Sequence, residues 1–466
     1  MILEVIADIA IPYLMSRIVD VGIANQDIEY VLKIGLIMVA AALAGMTFGI
    51  ISSHYGAKAG FGFASEIRFK LFEKIQGFSF ANLDKFTVAS LITRLTNDCN
   101  TLGQVTMMSL RMAVRAPFMM IFALFMALRI NASLARVFVV SIPALVIVLT
   151  IILSKARPMF LLMQTKIDRV NAIIRENLTA IRVVKSFNRQ NHEEARFKER
   201  NDSLRDTALR AISLIVFLMP VLSIVTYSTI VAVLWFGGRQ VASGSMETGE
   251  LISFITYITQ ILMSLMMMSF FFMQLLRATA SVTRIVEVLN TESEIKEDEN
   301  PIRELPDGSV AFEGVSFRYP GSTEKTLKNI NFHINSGEVL GIIGSTGSSK
   351  STLVQLIPRL YDTTEGRVLV GGIDVKRYDI KALRDKVAFV LQKNTLFSGT
   401  IRENMKWGNE KASDEEIIHA LKLAQAWEFV SKYKDGLDHR VDQGGENFSG
   451  GQKQRLTIAR ALLKSP

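Results

Sequence analysis

Six stretches of this chain are apolar over lengths close to the thickness of a membrane. A helix needs about 20 mostly apolar residues to cross ~30 Å of hydrocarbon, and few other folds accept such stretches. We therefore predict an all-α transmembrane domain of six helices over residues 1–285. The spans are expected near residues 1–19, 31–53, 112–129, 132–154, 211–238 and 250–276.

Charged residues in the first and third of these spans bear on their assignment. The first carries Glu4 and Asp8, and a signal peptide is disfavoured there because no basic region or small-residue cleavage site is present. The third is short and contains Arg115 and Arg129, whose long side chains can snorkel to the interfaces.

The distribution of charge orients the helices. The chain has 53 Lys and Arg against 44 Asp and Glu, a formal net charge of +9. Residues 54–115 carry a net +4, and residues 155–210, with thirteen basic and seven acidic residues, carry +6. The positive-inside rule places both segments in the cytoplasm, where they are predicted to form long helical extensions. A nucleic-acid partner is not needed to explain the excess charge.

The cysteine and histidine content excludes several metalloprotein classes. Cys99 is the single cysteine, so an intramolecular disulfide and a four-cysteine metal site are both impossible. The five histidines are scattered, which argues against a structural zinc site.

The composition changes after the last apolar span. Residues 286–308 are polar and acidic with two prolines, which is typical of a linker. A soluble domain follows over residues 309–466, and its first segments alternate apolar and polar residues as half-buried strands do.

A glycine- and serine-rich loop follows an apolar segment, residues 339–343, that we predict to be a strand. The loop leads into an apolar helix, and this strand, loop and helix order is typical of a phosphate-binding loop. In such a loop Lys350 would reach the β- and γ-phosphates and the Ser351 hydroxyl would ligate Mg²⁺. Ser349 replaces the second glycine of the GxxxxGK[ST] pattern, and its Cβ disfavours the positive φ expected there. A chance turn before a helix is the alternative explanation.

A second glycine-bearing loop before a helix, NFSGGQKQR, begins at Asn447. It resembles the LSGGQ signature of ABC proteins, with Phe448 in the leucine position. With the segments SLITRLTND, RVVKSF and AVLWFGG, it makes the whole chain similar to an exporter-type ABC half-transporter, closest to a subunit of the bacterial heterodimeric multidrug exporters.

The resemblance implies a set of site residues. Tyr319 would stack on adenine, Gln392 would contact Mg²⁺ and act as the catalytic Q-loop residue, and Ser351 would be the second metal ligand. The full set expected to bind ATP is Tyr319, Gly344, Ser345, Thr346, Gly347, Ser348, Ser349, Lys350, Ser351, Thr352, Ser449, Gly450, Gly451 and Gln452. Coupling helices are implied near residues 80–86 and 183–188.

Chains of this family continue into the Walker B strand, a catalytic glutamate and a switch histidine. The sequence ends at Pro466, so the resemblance implies an incomplete α/β P-loop nucleotide-binding domain, truncated at its C-terminal side. Efficient ATP hydrolysis is not expected from this polypeptide alone, and whether the complete dimer hydrolyses ATP stays open.

Two functions are compatible with these features. The first is ATP- and Mg²⁺-dependent export of hydrophobic or amphipathic drugs, lipids or peptides by a dimer of half-transporters in the cell membrane. The second is a non-catalytic partner half that binds ATP at a degenerate site and lends its signature to a catalytic sister. Glu4 and Asp8 could meet a cationic substrate, or could simply lie near an interface. The methionines and phenylalanines of the last span could line an apolar cavity, although contact with lipid and neighbouring helices is the better explanation for most of them.

Overall fold

A computed structural model describes residues 1–465 of the chain. The chain divides into two units. The first consists of Met1–Phe69 and Thr96–Ile285, and the second of Lys70–Leu95 and the residues from Val286 onward. The tip of the first cytoplasmic extension, Lys70–Leu95, therefore belongs with the second unit, a division that boundaries drawn along the sequence do not make.

Residues 1–290, which include all of the first unit and part of the second, form mainly helices. Its helices are α1 Ile2–Arg17, α2 Ile28–Gln76, α3 Phe80–Lys85, α4 Val88–Thr93, α5 Cys99–Ile130, α6 Val137–Thr179, α7 Ile181–Ser186, α8 Gln190–Val216, α9 Leu218–Ala242 and α10 Thr248–Asn290.

The described residues contain five helices long and apolar enough to span a membrane, and these comprise α2, α4 with α5, α6, α9 and α10. The first helix, α1, has 16 residues and continues into a short π-helical segment, Ile18–Ile23. Together they extend roughly 33 Å at 1.5 Å per residue, which is sufficient for a sixth span.

A polar stripe on α10 compensates for a proline in α1. Pro12 has no N–H, so the carbonyl of Asp8 lacks its helical partner. The Gln260 amide donates to that carbonyl at 3.4 Å, and Tyr257 and Ser253 donate to two further carbonyls of α1, Ile9 O at 2.8 Å and Pro12 O at 2.5 Å. The three donors lie at helical spacing on one face of α10, which fixes its register against α1.

The second unit contains the remaining elements. These are β1 Val310–Phe317, β2 Leu327–Ile334, α11 Lys350–Gln355, β3 Glu365–Val370, β4 Ile373–Asp374, α12 Ile380–Lys386, β5 Gly399–Thr400, α13 Ile401–Lys406, α14 Asp414–Leu423, α15 Trp427–Val430, β6 Arg440–Val441 and α16 Gly450–Leu463.

An antiparallel sheet of strand order β2-β1-β3-β4 forms the first part of this unit. Strands β1 and β2 are the alternating segments predicted from the sequence, and Phe312 stacks on Phe332 across them with ring centroids 4.5 Å apart. Tyr378 is fully buried in the core of this sheet and donates its hydroxyl to Val370 O of β3 at 2.8 Å. A separate helical core surrounds Ile401, Ile417 and Leu456 of α13, α14 and α16.

The prediction of a strand at residues 339–343 is wrong. The segment has no regular secondary structure, and Val339 and Ile343 are 98% and 96% exposed. An apolar strand of this kind is stable only when neighbouring strands and helices cover it, and no strand of residues 1–465 pairs with it. The fold class itself, a helical membrane domain followed by a P-loop-type α/β domain, agrees with the prediction.

Candidate functional site

The loop before α11 is closed around the side chain of Lys350. Its ammonium group donates to Gly344 O at 2.7 Å, to Ser345 O at 2.8 Å and to Ser348 Oγ at 3.1 Å. A Cβ on Gly344 would lie 2.7 Å from Ser348 Oγ, so a side chain at this position would require that hydroxyl to move. The loop thus gathers an ammonium group and hydroxyls around one centre, a donor set that fits a polyphosphate.

Ser349 adopts the left-handed conformation despite its side chain. Its φ of 63° and ψ of 21° are in the αL region, where the pattern normally has glycine. Holding a residue with a Cβ there costs about 1 kcal/mol. Ser349 therefore adopts the backbone conformation expected of glycine, and the cost is conformational strain in the folded protein.

Tyr319 lies beside the first turn of α11. Its hydroxyl is 2.9 Å from Thr352 Oγ1, and its ring meets those of Phe317 and Tyr361 edge to face at 4.9 and 5.3 Å. A cavity of about 600 Å³ borders Tyr319 and Tyr361, but no residue from 344 to 352 lines it. Through its contact with Thr352, Tyr319, the residue predicted to stack on adenine, lies next to the last residue of the predicted phosphate-binding segment.

The signature-like segment forms the capped start of α16. Ser449 accepts from Gln452 N at 3.3 Å, and Gln452 Oε1 accepts from Ser449 N at 2.9 Å, a reciprocal capping box. Gly450 and Gly451 are exposed, so their backbone N–H groups at the positive end of a 14-residue helix face outward.

Of the remaining predicted residues, Gln392 lies outside these elements, and the others belong to the loop and to α11. Gln392 is exposed within an irregular segment, and Ser351 is exposed in the first turn of α11. Within residues 1–465 we find no hydrogen bond that joins Gln392, or residues 449–452, to the loop at 344–352. The residues Ser345, Thr346, Gly347 and Ser348 are likewise exposed.

A charged cluster inside the membrane unit is the feature that sequence reasoning missed. Arg115 of α5 donates to Glu4 Oε1 at 2.6 Å and to Asp8 Oδ2 at 2.9 Å, both on α1. The Glu4 side chain is only 8% exposed. Arg115 therefore pairs with two carboxylates one helical turn apart and does not snorkel to an interface. A lone cation and two lone acids within otherwise apolar spans were the signal for this contact.

The tip of the first cytoplasmic extension also makes contacts that the sequence does not reveal. The Tyr361 hydroxyl donates to Asp84 Oδ2 of α3 at 2.7 Å. Burial, together with this carboxylate, raises the pKa of Tyr361. Asn82, 3% exposed, donates to Glu292 O at 2.9 Å and accepts from Glu294 N at 3.3 Å. The short helix α3 is thereby bound both to the loop before β3 and to the chain that follows α10.

Comparison with known families identifies this architecture. Residues 1–265 match the ABC transporter transmembrane region, and residues 327–466 match the ABC transporter domain. The chain belongs to the ABC transporter family. It is a multi-pass membrane protein whose nucleotide-binding domain is cytoplasmic, and the resemblance drawn from its motifs is confirmed.

Individual ABC proteins are similar over most or all of the chain. The uncharacterized ABC transporter ATP-binding protein YfiB of Bacillus subtilis is 40% identical over 100% of this chain and 81% of its own length. A putative multidrug export ATP-binding/permease protein, YgaD of the same organism, is 31% identical over 86% of this chain and 69% of its own. The structure of a bacterial Atm1-family ABC exporter with ATP bound superimposes with a TM-score of 0.81 at 21% identity, covering 100% of this chain and 82% of that one. The chain therefore has the exporter fold.

Proposed function

We propose that this half-transporter exports hydrophobic or amphipathic compounds, driven by ATP and Mg²⁺, as one half of a dimer with a second ABC half. ABC half-transporters act as pairs, and the exposed signature end of α16 is available to a second subunit. A family relative named as a putative multidrug exporter supports the same class of substrate.

The nucleotide would be held by the residues that form the loop before α11. Lys350 and the backbone of residues 344–349 would bind the phosphates, Tyr319 would stack on the base, and Ser351 with Gln392 would hold Mg²⁺. The bound ion would supply charge neutralisation on the phosphates. Without nucleotide, the Lys350 ammonium group is hydrogen-bonded to Gly344 O and Ser345 O. On nucleotide binding it would exchange these bonds for bonds to phosphate oxygens, so its donors have partners in both states.

The observation that carries the substrate class is the cluster of Glu4, Asp8 and Arg115. Two carboxylates and one guanidinium leave a net charge of −1 within apolar spans when both acids are ionised. A charged centre in such surroundings is energetically costly, and ionisable residues within membrane spans usually mark a functional site. It would favour amphipathic molecules that combine an apolar body with a positive charge.

Transport by the complete half-transporter, reconstituted in proteoliposomes together with its dimer partner, tests this proposal. We expect ATP-dependent uptake of ethidium, a cationic amphiphile, and its loss in Lys350→Met. Glu4→Gln should reduce ethidium uptake several-fold and leave uptake of a neutral amphiphile unchanged. Equal effects on both probes would refute the charge argument, whereas ATP-independent uptake would refute the pump.

The alternative, a non-catalytic partner half, is favoured by Ser349 and by the resemblance of the chain to subunits of heterodimeric exporters. In that case purified protein would be labelled by 8-azido-ATP but would not release phosphate, and hydrolysis would appear only after mixing with a catalytic sister half. Hydrolysis by the protein without a sister would exclude this alternative.

A further inference from the structure

Three helices of the membrane unit end in the same pair of side chains. An aromatic residue is followed four positions later by arginine in α1, α5 and α9, and each guanidinium lies over the ring of its partner. The pairs are Tyr13 with Arg17 at 5.6 Å, Phe125 with Arg129 at 5.3 Å, and Trp235 with Arg239 at 5.4 Å from guanidinium carbon to ring centroid.

All three pairs are at the outer side of the membrane. Because the nucleotide-binding domain that follows α10 is cytoplasmic, α10 runs inward, and the alternating spans make α1, α5 and α9 run outward. Arginine on this side is opposite to the usual bias of short loops, where Lys and Arg are enriched in the cytoplasm. These three arginines therefore need a local explanation.

The rings are open to lipid. Tyr13, Phe125 and Trp235 are 39%, 52% and 64% exposed at the outer ends of their helices, so no other part of the described chain covers them. Each arginine points back one turn onto such a ring, so its guanidinium lies at the level of the aromatic belt, where lipid headgroups meet the acyl chains.

Two of the pairs lie close together. Asn131, two residues after Arg129, donates to Gln240 Oε1 at 2.5 Å, and Gln240 directly follows Arg239. In the part of the chain that the structure describes, neither Arg129 nor Arg239 has a carboxylate within ion-pair distance. The ends of α5 and α9 therefore present two guanidinium groups without protein counter-charges.

We propose that the surface formed by Arg129 and Arg239 on their aromatic partners, Phe125 and Trp235, binds the phosphate groups of anionic phospholipids in the outer leaflet. A guanidinium group matches phosphate oxygens in a bidentate geometry, and the ring beneath it contacts the start of the acyl chains. The occupant is a lipid, because a free phosphate ion would leave the exposed rings without a partner.

Trp235 provides a local probe of this binding. The other two tryptophans, Trp407 and Trp427, belong to the soluble second unit, so quenching by brominated lipid reports on Trp235. The full chain is placed in nanodiscs containing phosphatidylglycerol or phosphatidylcholine brominated at the headgroup end of the acyl chains. We expect Trp235 to favour phosphatidylglycerol about five-fold, the effect of one arginine near an anionic surface.

Variants separate this surface from general charge effects. Arg239→Gln should reduce the preference to about one-fold, whereas Arg239→Lys, which keeps the charge, should retain part of it. Arg157→Gln removes an exposed arginine of α6 at the cytoplasmic side and should leave the quenching unchanged. Equal quenching by both lipids, a preference that survives Arg239→Gln, or displacement by inorganic phosphate would overturn the proposal.

Discussion

Replacing Asn82 by alanine tests whether α3 transmits motion between the nucleotide-binding domain and the membrane helices. The Asn82 side chain accepts hydrogen bonds from Ser79 N at 3.1 Å, Ser79 Oγ at 2.7 Å and Glu294 N at 3.3 Å, and it donates to Glu292 O at 2.9 Å. Two of these bonds stay within α3 and its cap. The other two join α3 to the chain between α10 and β1.

The expected size of the effect follows from burial. Asn82 is 3% exposed, so water cannot fully replace the lost bonds. Leaving a buried donor or acceptor without a partner costs about 1–3 kcal/mol. At about 2 kcal/mol, the attachment of α3 to the linker would weaken by roughly 30-fold, while the phosphate loop would be unaffected because Asn82 makes no contact with it.

The assay compares ATP hydrolysis with transport by the same reconstituted protein. We expect Asn82→Ala to keep ATP hydrolysis within about two-fold and to reduce transport per ATP several-fold. Asn201→Ala, on the exposed surface of α8, is the matched control. Unchanged transport per ATP in Asn82→Ala, or an equal loss in the control, would refute the reasoning.

Four further predictions concern other parts of the molecule. Lys350→Met should abolish ATP binding measured with a fluorescent nucleotide, since the loop loses its central cation. Ser349→Gly should leave nucleotide affinity nearly unchanged and raise unfolding free energy by at most about 1 kcal/mol, because the αL strain is present without nucleotide. Arg115→Met leaves Glu4 buried without its partner and should destabilise the membrane domain by about 3–5 kcal/mol in denaturant unfolding. Arg402 holds the pKa of Asp438 below its usual range, so this ion pair should stabilise the protein at neutral pH. The stabilisation should be lost as the pH falls below about 4. Thermal unfolding of the wild type and of Asp438→Asn, compared across that pH range, measures the contribution of the pair.

The membrane spans and the first strands could be predicted because their signals are local. Length and hydropathy define the apolar helices, and strict alternation defines β1 and β2. The phosphate loop could likewise be recognised, since its glycines and Lys350 interact within a few residues of one another.

The sequence did not predict the conformation of residues 339–343 correctly. Their apolar composition is typical of a buried strand, yet a strand forms only when another strand offers its hydrogen-bonding edge. Composition determines what the segment prefers, and the neighbours determine whether the preference is realised.

The sequence by itself determined the transmembrane character, the order of the two domains and the local residue pattern of the loop before α11, because those depend on periodicity and near neighbours. Only the tertiary structure decided that Arg115 pairs with Glu4 and Asp8, 111 and 107 residues away, and that Asn82 contacts Glu292, 210 residues away. Side chains so far apart in sequence meet through the packing of whole helices, and that packing is set by many contacts at once. No short pattern in the chain records it.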